Sequence, residues 1–336
     1  MLFELLREPP RRFRTGLVRG AVRQLGGRAC DGGGRLYLNI GHTGLDRDGI
    51  SQWVKDSAVR PVYFVHDLIP LTHPEFCRAG ETERHARRMR TVLSTAAGVI
   101  GNSQATLDDL AQFASEQGLP TPPSVAAWLG TPRIEPARGQ VPDRPTFVVL
   151  GTIEARKNHL LLLRIWSKLI ARLGEQAPRL LIIGHRGWVA NEVFRRLDED
   201  PTLRGHVVEL NRCPDEKMAA HLTNARALLF PSKAEGYGLP LVEALALGVP
   251  VIASGLPAFR EIGQGIPLLL DPEDEASWES AILDFSQPTS AARAEQLDRL
   301  SGFRSPTWND HFRIVEEWLA KIDSGQSARG SIRSES

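Results

Sequence analysis

The chain has 336 residues, with 41 Lys and Arg against 40 Asp and Glu. At a net charge of +1 it lacks the global field that nucleic-acid binding or an acidic tail would bring. With 42% hydrophobic residues it can build two domains with a core each, yet its apolar runs fall far short of the roughly 18 residues of a membrane span. Cys30, Cys77 and Cys213 are too few and too scattered for a disulfide framework or a Cys-rich zinc site, and fit a reducing cytosol. The first six residues, broken by Glu4 and followed by an Arg/Pro cluster, are too short for the apolar core of a secretory leader.

Residues 1–28 hold seven arginines against two glutamates. The arm reads as solvated or loosely packed, or as a contact for an anionic membrane surface. From residue 35 short apolar runs alternate with polar, helix-like stretches. Those at 36–40, 62–66, 98–102 and 125–128 read as strands of a first parallel sheet. Seven prolines between 118 and 146 speak against regular structure and mark a linker. Runs at 146–151, 179–184, 206–210, 227–231, 250–254 and 267–271 form a second series. Behind the first of these, Leu162, Trp166, Leu169, Ile170 and Leu173 have helical spacing, with Asn158 as the expected N-cap. The pattern predicts two doubly wound α/β halves, then an amphipathic helix over 308–322 and an unfolded tail over 324–336.

The most informative string is Glu235-Gly236-Tyr237-Gly238-Leu239-Pro240-Leu241-Val242-Glu243, between the strand ending at Phe230 and a helix with Pro240 in its first turn. Gly236 and Gly238 permit positive φ and close approach of backbone to a ligand, and the amides at the helix start suit a diphosphate. Two carboxylates beside such a site repel phosphate but accept hydrogen bonds from hydroxyls, one set from a sugar ring and one from a ribose. Taken singly, either glutamate reads as a helix cap or a solvated charge. A second strand-turn-helix start, Gly151-Thr152-Ile153-Glu154-Ala155-Arg156-Lys157-Asn158, carries one of only six lysines in the chain. Lys157 is placed to offset charge on a leaving diphosphate.

These strings, with Ala244-Leu245-Ala246-Leu247-Gly248-Val249-Pro250 after the second glutamate, resemble the GT-B glycosyltransferases of family 4 (the glycosyltransferase group 1 domain). The resemblance is specific over about 145–285 and looser over 35–130. It implies two Rossmann-like domains facing a cleft, with the N-terminal one short. It also implies retention of anomeric configuration, a GDP- or UDP-linked sugar as co-substrate, and no cofactor or metal. Carried over by position, His66, Lys157 and Glu235 have catalytic roles. The donor is bound by Thr152, Arg156, Lys157, Glu235, Gly236, Tyr237, Gly238, Leu239 and Glu243, with Glu243 on the ribose and Glu235 on the sugar hydroxyls. Many members carry an Arg where Thr152 stands, and Arg156 is the candidate for that missing charge. Gly41, His42, Asp67 and Ser103 fall on the acceptor side, Ser103 also reading as a plain helix cap.

The expected division is 1–138 for the acceptor-side domain with its basic arm, 139–305 for the nucleotide-sugar domain, 306–323 for the C-terminal helix and 324–336 for the tail. Asp46-Arg47-Asp48 and Asp198-Glu199-Asp200 spell a metal-diphosphate pattern but follow no suitable strand, and no metal is expected there. The basic string from Arg84 to Arg90 reads as a solvated helix face or as a site for acceptor phosphates. The leading functional reading is a hexosyltransferase, with mannose among the candidate sugars, acting on a glycan or lipid-linked acceptor in polysaccharide biosynthesis. Its expected place is the cytoplasm, peripheral to the inner membrane face. The alternative is a nucleotide-binding scaffold of the same fold that has lost turnover; an epimerase on the same plan fits the strings less well.

Overall fold

In the computed structural model, residues 31–132, 134 and 141–324 are described. The basic arm, the middle of the linker with the 138/139 boundary, and the tail from 325 lie outside the described residues.

In the first half β1 (Leu36–Asn39), β2 (Arg60–Val65), β3 (Gly98–Gly101) and β4 (Ser124–Ala126) pair in parallel in that order. Their connections carry α1 (Ile50–Asp56), α2 (Ile69–Thr72), α3 (Glu81–Thr95) and α4 (Gln104–Glu116). β4 lies within the stretch whose prolines argued against regular structure. Pro122 and Pro123 stop just short of it, so no ladder amide is missing where it pairs with β3.

The second half runs β5 (Thr146–Leu150), α5 (His159–Leu173), β6 (Arg179–Ile183), α6 (Asn191–Glu199), β7 (Val207–Leu210), α7 (Asp215–Thr223) and β8 (Ala227–Phe230). It continues through α8 (Leu239–Ala246), β9 (Val251–Ser254), α9 (Pro257–Ile262), β10 (Leu268–Leu270), α10 (Glu275–Ser286) and α11 (Ala291–Leu300). The parallel sheet has the order β10-β9-β8-β5-β6-β7. Both faces are covered, which is why the strands are apolar throughout rather than alternating. Trp166, Trp278 and Phe147 fill the face under α5, α6 and α10, while Phe230, Phe259 and Leu241 fill the face under α7, α8 and α9. The strand order reverses between β5 and β8, and a crevice opens there at the carboxyl ends of the strands.

Asn158 occupies the N-cap position of α5, but its side chain does not cap. Its backbone is left-handed (φ 57°) rather than extended, and Nδ2 donates to Pro272 O at 3.0 Å. The last helix, α12 (Trp308–Asp323), belongs to the first half: Val315, Trp318 and Ile322 pack on Val62, Phe64 and Ile100. Gly98 permits this, because a Cβ there would stand 2.4 Å from the Trp318 ring. The chain therefore crosses between the halves twice, and the crossings touch where Thr131 N donates to Pro306 O at 2.9 Å.

Candidate active site

The turns after β5 and β8 meet at the switch point. Lys233 N donates to Arg156 O at 2.7 Å, fixing one turn against the other. Lys157 Nζ donates to Glu235 Oε1 at 2.5 Å, and Ser232 Oγ donates to the same oxygen at 2.9 Å. Arg156 Nη1 reaches Glu235 Oε2 at 2.7 Å and Ala234 O at 2.9 Å, while Nη2 reaches Glu154 Oε1 at 2.8 Å. The Glu235 side chain is only 9% exposed. Burial alone would raise its pKa, but Lys157 and Arg156 outweigh that and hold the carboxyl below the usual range. Glu154 goes the other way: burial raises its carboxyl despite Arg156, and Oε2 is buried without a hydrogen-bond partner. Arg156 thus joins the cluster of Lys157 and Glu235, and Thr152 sets its methyl against Gly187.

In the glycine turn, Gly238 has the expected positive φ (120°) at the N-cap of α8. Gly236 does not; it is small for another reason. A Cβ there would stand 2.3 Å from His66 O and 2.7 Å from Asp67 Cβ, so the two halves touch at this residue. Tyr237, expected at the donor, turns its ring into the core and donates its hydroxyl to Leu129 O at 3.0 Å. Leu239 is 38% exposed at the start of α8. Glu243 is half-buried on α8, its carboxyl raised by burial and by Asp215 at the start of α7. Beside α7 a cavity of about 370 Å³, lined by Gly184, His185, Asn211 and Arg212, opens over β6 and β7. It escaped the sequence reading because its walls come from two loops without a motif.

In the first half His66 is exposed at the end of β2 and donates Nε2–H to Ile40 O at 2.8 Å. Gly41 is exposed, but His42 turns inward. Its pKa is pushed down to about 4 by burial and then by His85 and His66, whose rings lie 5.7 and 5.4 Å away. Asp67 accepts from Ile69 N at 3.1 Å. Ser103 does two things at once: it caps α4, accepting from Thr106 N, and its Oγ donates to Gly236 O at 2.8 Å across the cleft. Thr106 Oγ1 lies 3.1 Å from the same carbonyl. Glu261 on α9, which no local pattern singled out, accepts from Gln104 N at 2.9 Å, Ala105 N at 3.2 Å and Trp128 Nε1 at 2.6 Å.

The acidic strings are occupied by arginines: Asp46 pairs with Arg88, Asp198 with Arg186 and Asp200 with Arg196. The basic string is a largely solvated helix face: Arg84, Arg87 and Arg90 are exposed, while His85 and Met89 turn into the core and Arg88 pairs with Asp46. Among the described residues no helix is long and apolar enough to cross a membrane.

Two parallel-sheet halves that touch across a cleft, with a charged cluster at the switch point of the second, define a two-domain nucleotide-fold protein. Residues 144–287 match the family "Glycosyl transferases group 1", and the chain has the GT-B fold of glycosyltransferases. The serotype-specific mannosyltransferase WbdA of Escherichia coli is 29% identical over 223 residues, 60% of this chain and 27% of that protein. The O-antigen chain mannosyltransferase B of Escherichia coli is 35% identical over 161 residues, 48% of this chain and 42% of that protein. The matched stretches thus span well under half of these relatives. Among solved structures, Anabaena HepE in complex with UDP and glucose has a TM-score of 0.66 at 16% identity, covering 84% of this chain and 77% of that one. Sucrose-phosphate synthase from Thermosynechococcus elongatus has a TM-score of 0.64 at 18% identity, covering 87% and 74%. At these identities the structural likeness establishes the fold alone.

Proposed function

We propose that the protein is a retaining glycosyltransferase that moves a hexose from a nucleoside-diphosphate sugar to a glycan acceptor in polysaccharide biosynthesis. The observation that carries this reading is the convergence of Lys157 and Arg156 on Glu235 at the switch point, pressed against His66 and Asp67. The two cations suit a donor diphosphate and supply its charge compensation without a metal ion. Glu235, released from part of its ion pairing, accepts hydrogen bonds from sugar hydroxyls. The nucleoside lies toward Glu243 and the cavity over β6 and β7. That relatives are mannosyltransferases supports mannose as the hexose; the carrier we propose is GDP or UDP.

In the reaction, the acceptor oxygen bonds to the anomeric carbon on the face from which the diphosphate leaves, and the departing phosphate oxygen takes the acceptor's proton. Lys157 and Arg156 stabilise the charge that grows there, which is effective only where water is excluded. The close approach of Gly236 to His66 and Asp67 is the contact through which the two halves meet beside the transfer site. The arm over 1–28 fits a role at an anionic membrane surface, read by vesicle sedimentation with and without it.

The test is calorimetry with GDP and UDP, followed by incubation with GDP-mannose and UDP-glucose. Binding of one nucleotide, weakened about tenfold or more in Glu243→Ala, is the expected result for a lost charged acceptor. NMR of the product should show the retained anomer. Binding of neither nucleotide would overturn the reading, and binding without any donor turnover would favour the scaffold.

A further inference from the structure

Between β6 and α6 the chain holds a large aromatic side chain out into the cleft. The loop carrying it is rigidly seated. Ile153 and Arg186 form a parallel bridge, Ile153 N donates to His185 O at 2.8 Å, and Gly187 N donates to Ile153 O at 2.9 Å. Gly187 packs closely there, since a Cβ would lie 2.6 Å from Thr152 Cγ2 and 3.1 Å from Ile153 O. Arg186 is clamped by Asp198 and Glu209, and Ala190 is buried beyond the tip. Between these anchors Val189, a β-branched residue, is forced to φ 53° and left 51% exposed. Strain of that kind in a rigid loop indicates a conformation maintained for a purpose other than packing. It leaves Trp188 38% exposed, with its indole N–H unbonded among the described residues.

Opposite stands Arg78 of the first half. Its guanidinium carbon is 5.1 Å from the Trp188 ring centroid, and it makes no ion pair among the described residues. Gly187, next to Trp188, lies against the charged cluster, since a Cβ there would stand 3.5 Å from Glu154 Cβ. The flank matters. Glu243 and the start of α7 lie on the sheet face of α7, α8 and α9, whereas the Trp188 loop leads into α6 on the opposite face. The first residues of the loop, Gly184 and His185, line the cavity assigned to the nucleoside, while its tip at Trp188 faces Arg78 of the first half and stays open to the second substrate.

From this placement we propose that Trp188 and Arg78 form the acceptor subsite, a platform on which one pyranose ring of an uncharged glycan chain stacks beside the transfer site. An indole offers a broad apolar face for the C–H side of a sugar ring and an N–H for a hydroxyl. The guanidinium fork adds donors for further hydroxyls. The inference rests on the glycosyltransferase reading for the identity of its occupant, but its test needs no donor.

The full chain is titrated with mannotriose, with maltotriose as the comparison, by calorimetry and saturation-transfer NMR, and separately with GDP and UDP. Trp188→Ala is expected to weaken binding of the preferred trisaccharide about tenfold, and Trp188→Phe or Arg78→Ala about threefold, with nucleotide affinity unchanged within about twofold. The milder variants keep the test open if Trp188→Ala misfolds. Unchanged trisaccharide affinity in all three, a parallel loss of nucleotide affinity, or no binding of either trisaccharide by the unmodified protein would overturn the proposal. Failure of the glycosyltransferase reading shows differently, as absence of nucleotide binding and donor turnover in the unmodified protein.

Discussion

Gly236→Ala isolates the contact between the halves. The added methyl would meet His66 O at 2.3 Å and Asp67 Cβ at 2.7 Å, both on the opposing half. Ordinary van der Waals separation is about 3.5 Å, so the two backbones must part by roughly 1 Å. That displacement takes the Ser103 and Thr106 bonds to Gly236 O from 2.8 and 3.1 Å past hydrogen-bonding range. The bonds from Gln104 N and Ala105 N to Glu261 lengthen with them. At about 1 kcal/mol net per bond, the closed arrangement loses roughly 2–4 kcal/mol, a 30- to 1,000-fold shift toward opening. Each half has its own core, so unfolding should change little. Small-angle scattering should show a larger radius of gyration for Gly236→Ala, transfer should slow, and nucleotide affinity should hold. Gly238→Ala is the control: its strain (φ 120°) and its clash with the Phe259 ring at 2.6 Å stay within the second half, so it should lower stability without opening the molecule. A Gly236→Ala protein with unmodified scattering and unmodified turnover would refute the reasoning.

Lys157→Met should destabilise the second half by about 2 kcal/mol, less than the 3–5 kcal/mol of an orphaned buried charge because Arg156 still faces Glu235. Since Glu235 is held below its ordinary pKa, that stability is present above about pH 4.5 and fades as pH falls further; urea titrations should show the gap between the two proteins narrowing in acid. His159 has both ring nitrogens buried without partners, and its pKa is lowered to about 3 by burial and then by Lys157. The unfolded chain binds that proton near the ordinary 6.5 and the folded one does not, so stability should drop by about 2 kcal/mol from pH 7 to 5, and His159→Leu should flatten that slope. Trp318→Ala should cost the first half about 3–5 kcal/mol, seen as an earlier urea transition distinct from that of the second half.

The strands and the two-half plan were legible in the sequence because a doubly covered parallel strand is an uninterrupted apolar run, a local property. The glycine turn and the Lys157 turn were legible for a similar reason: each is a contiguous strand-turn-helix string. What each residue does within those strings was decided by partners distant in sequence. Arg156 and Glu235 are 79 positions apart and meet only because the strand order places β8 beside β5. Gly236 reads as a positive-φ glycine, yet its smallness answers to His66 and Asp67 in the other half. Tyr237 sits in the middle of the string and still belongs to the core, because its hydroxyl finds Leu129 O on the crossing segment. Glu261, Arg78 and Trp188 carry no local signature at all. Periodicity and turn chemistry act over a few residues; a cleft is made of side chains from two separately folded sheets, and its contacts exist only once both have formed and closed on each other.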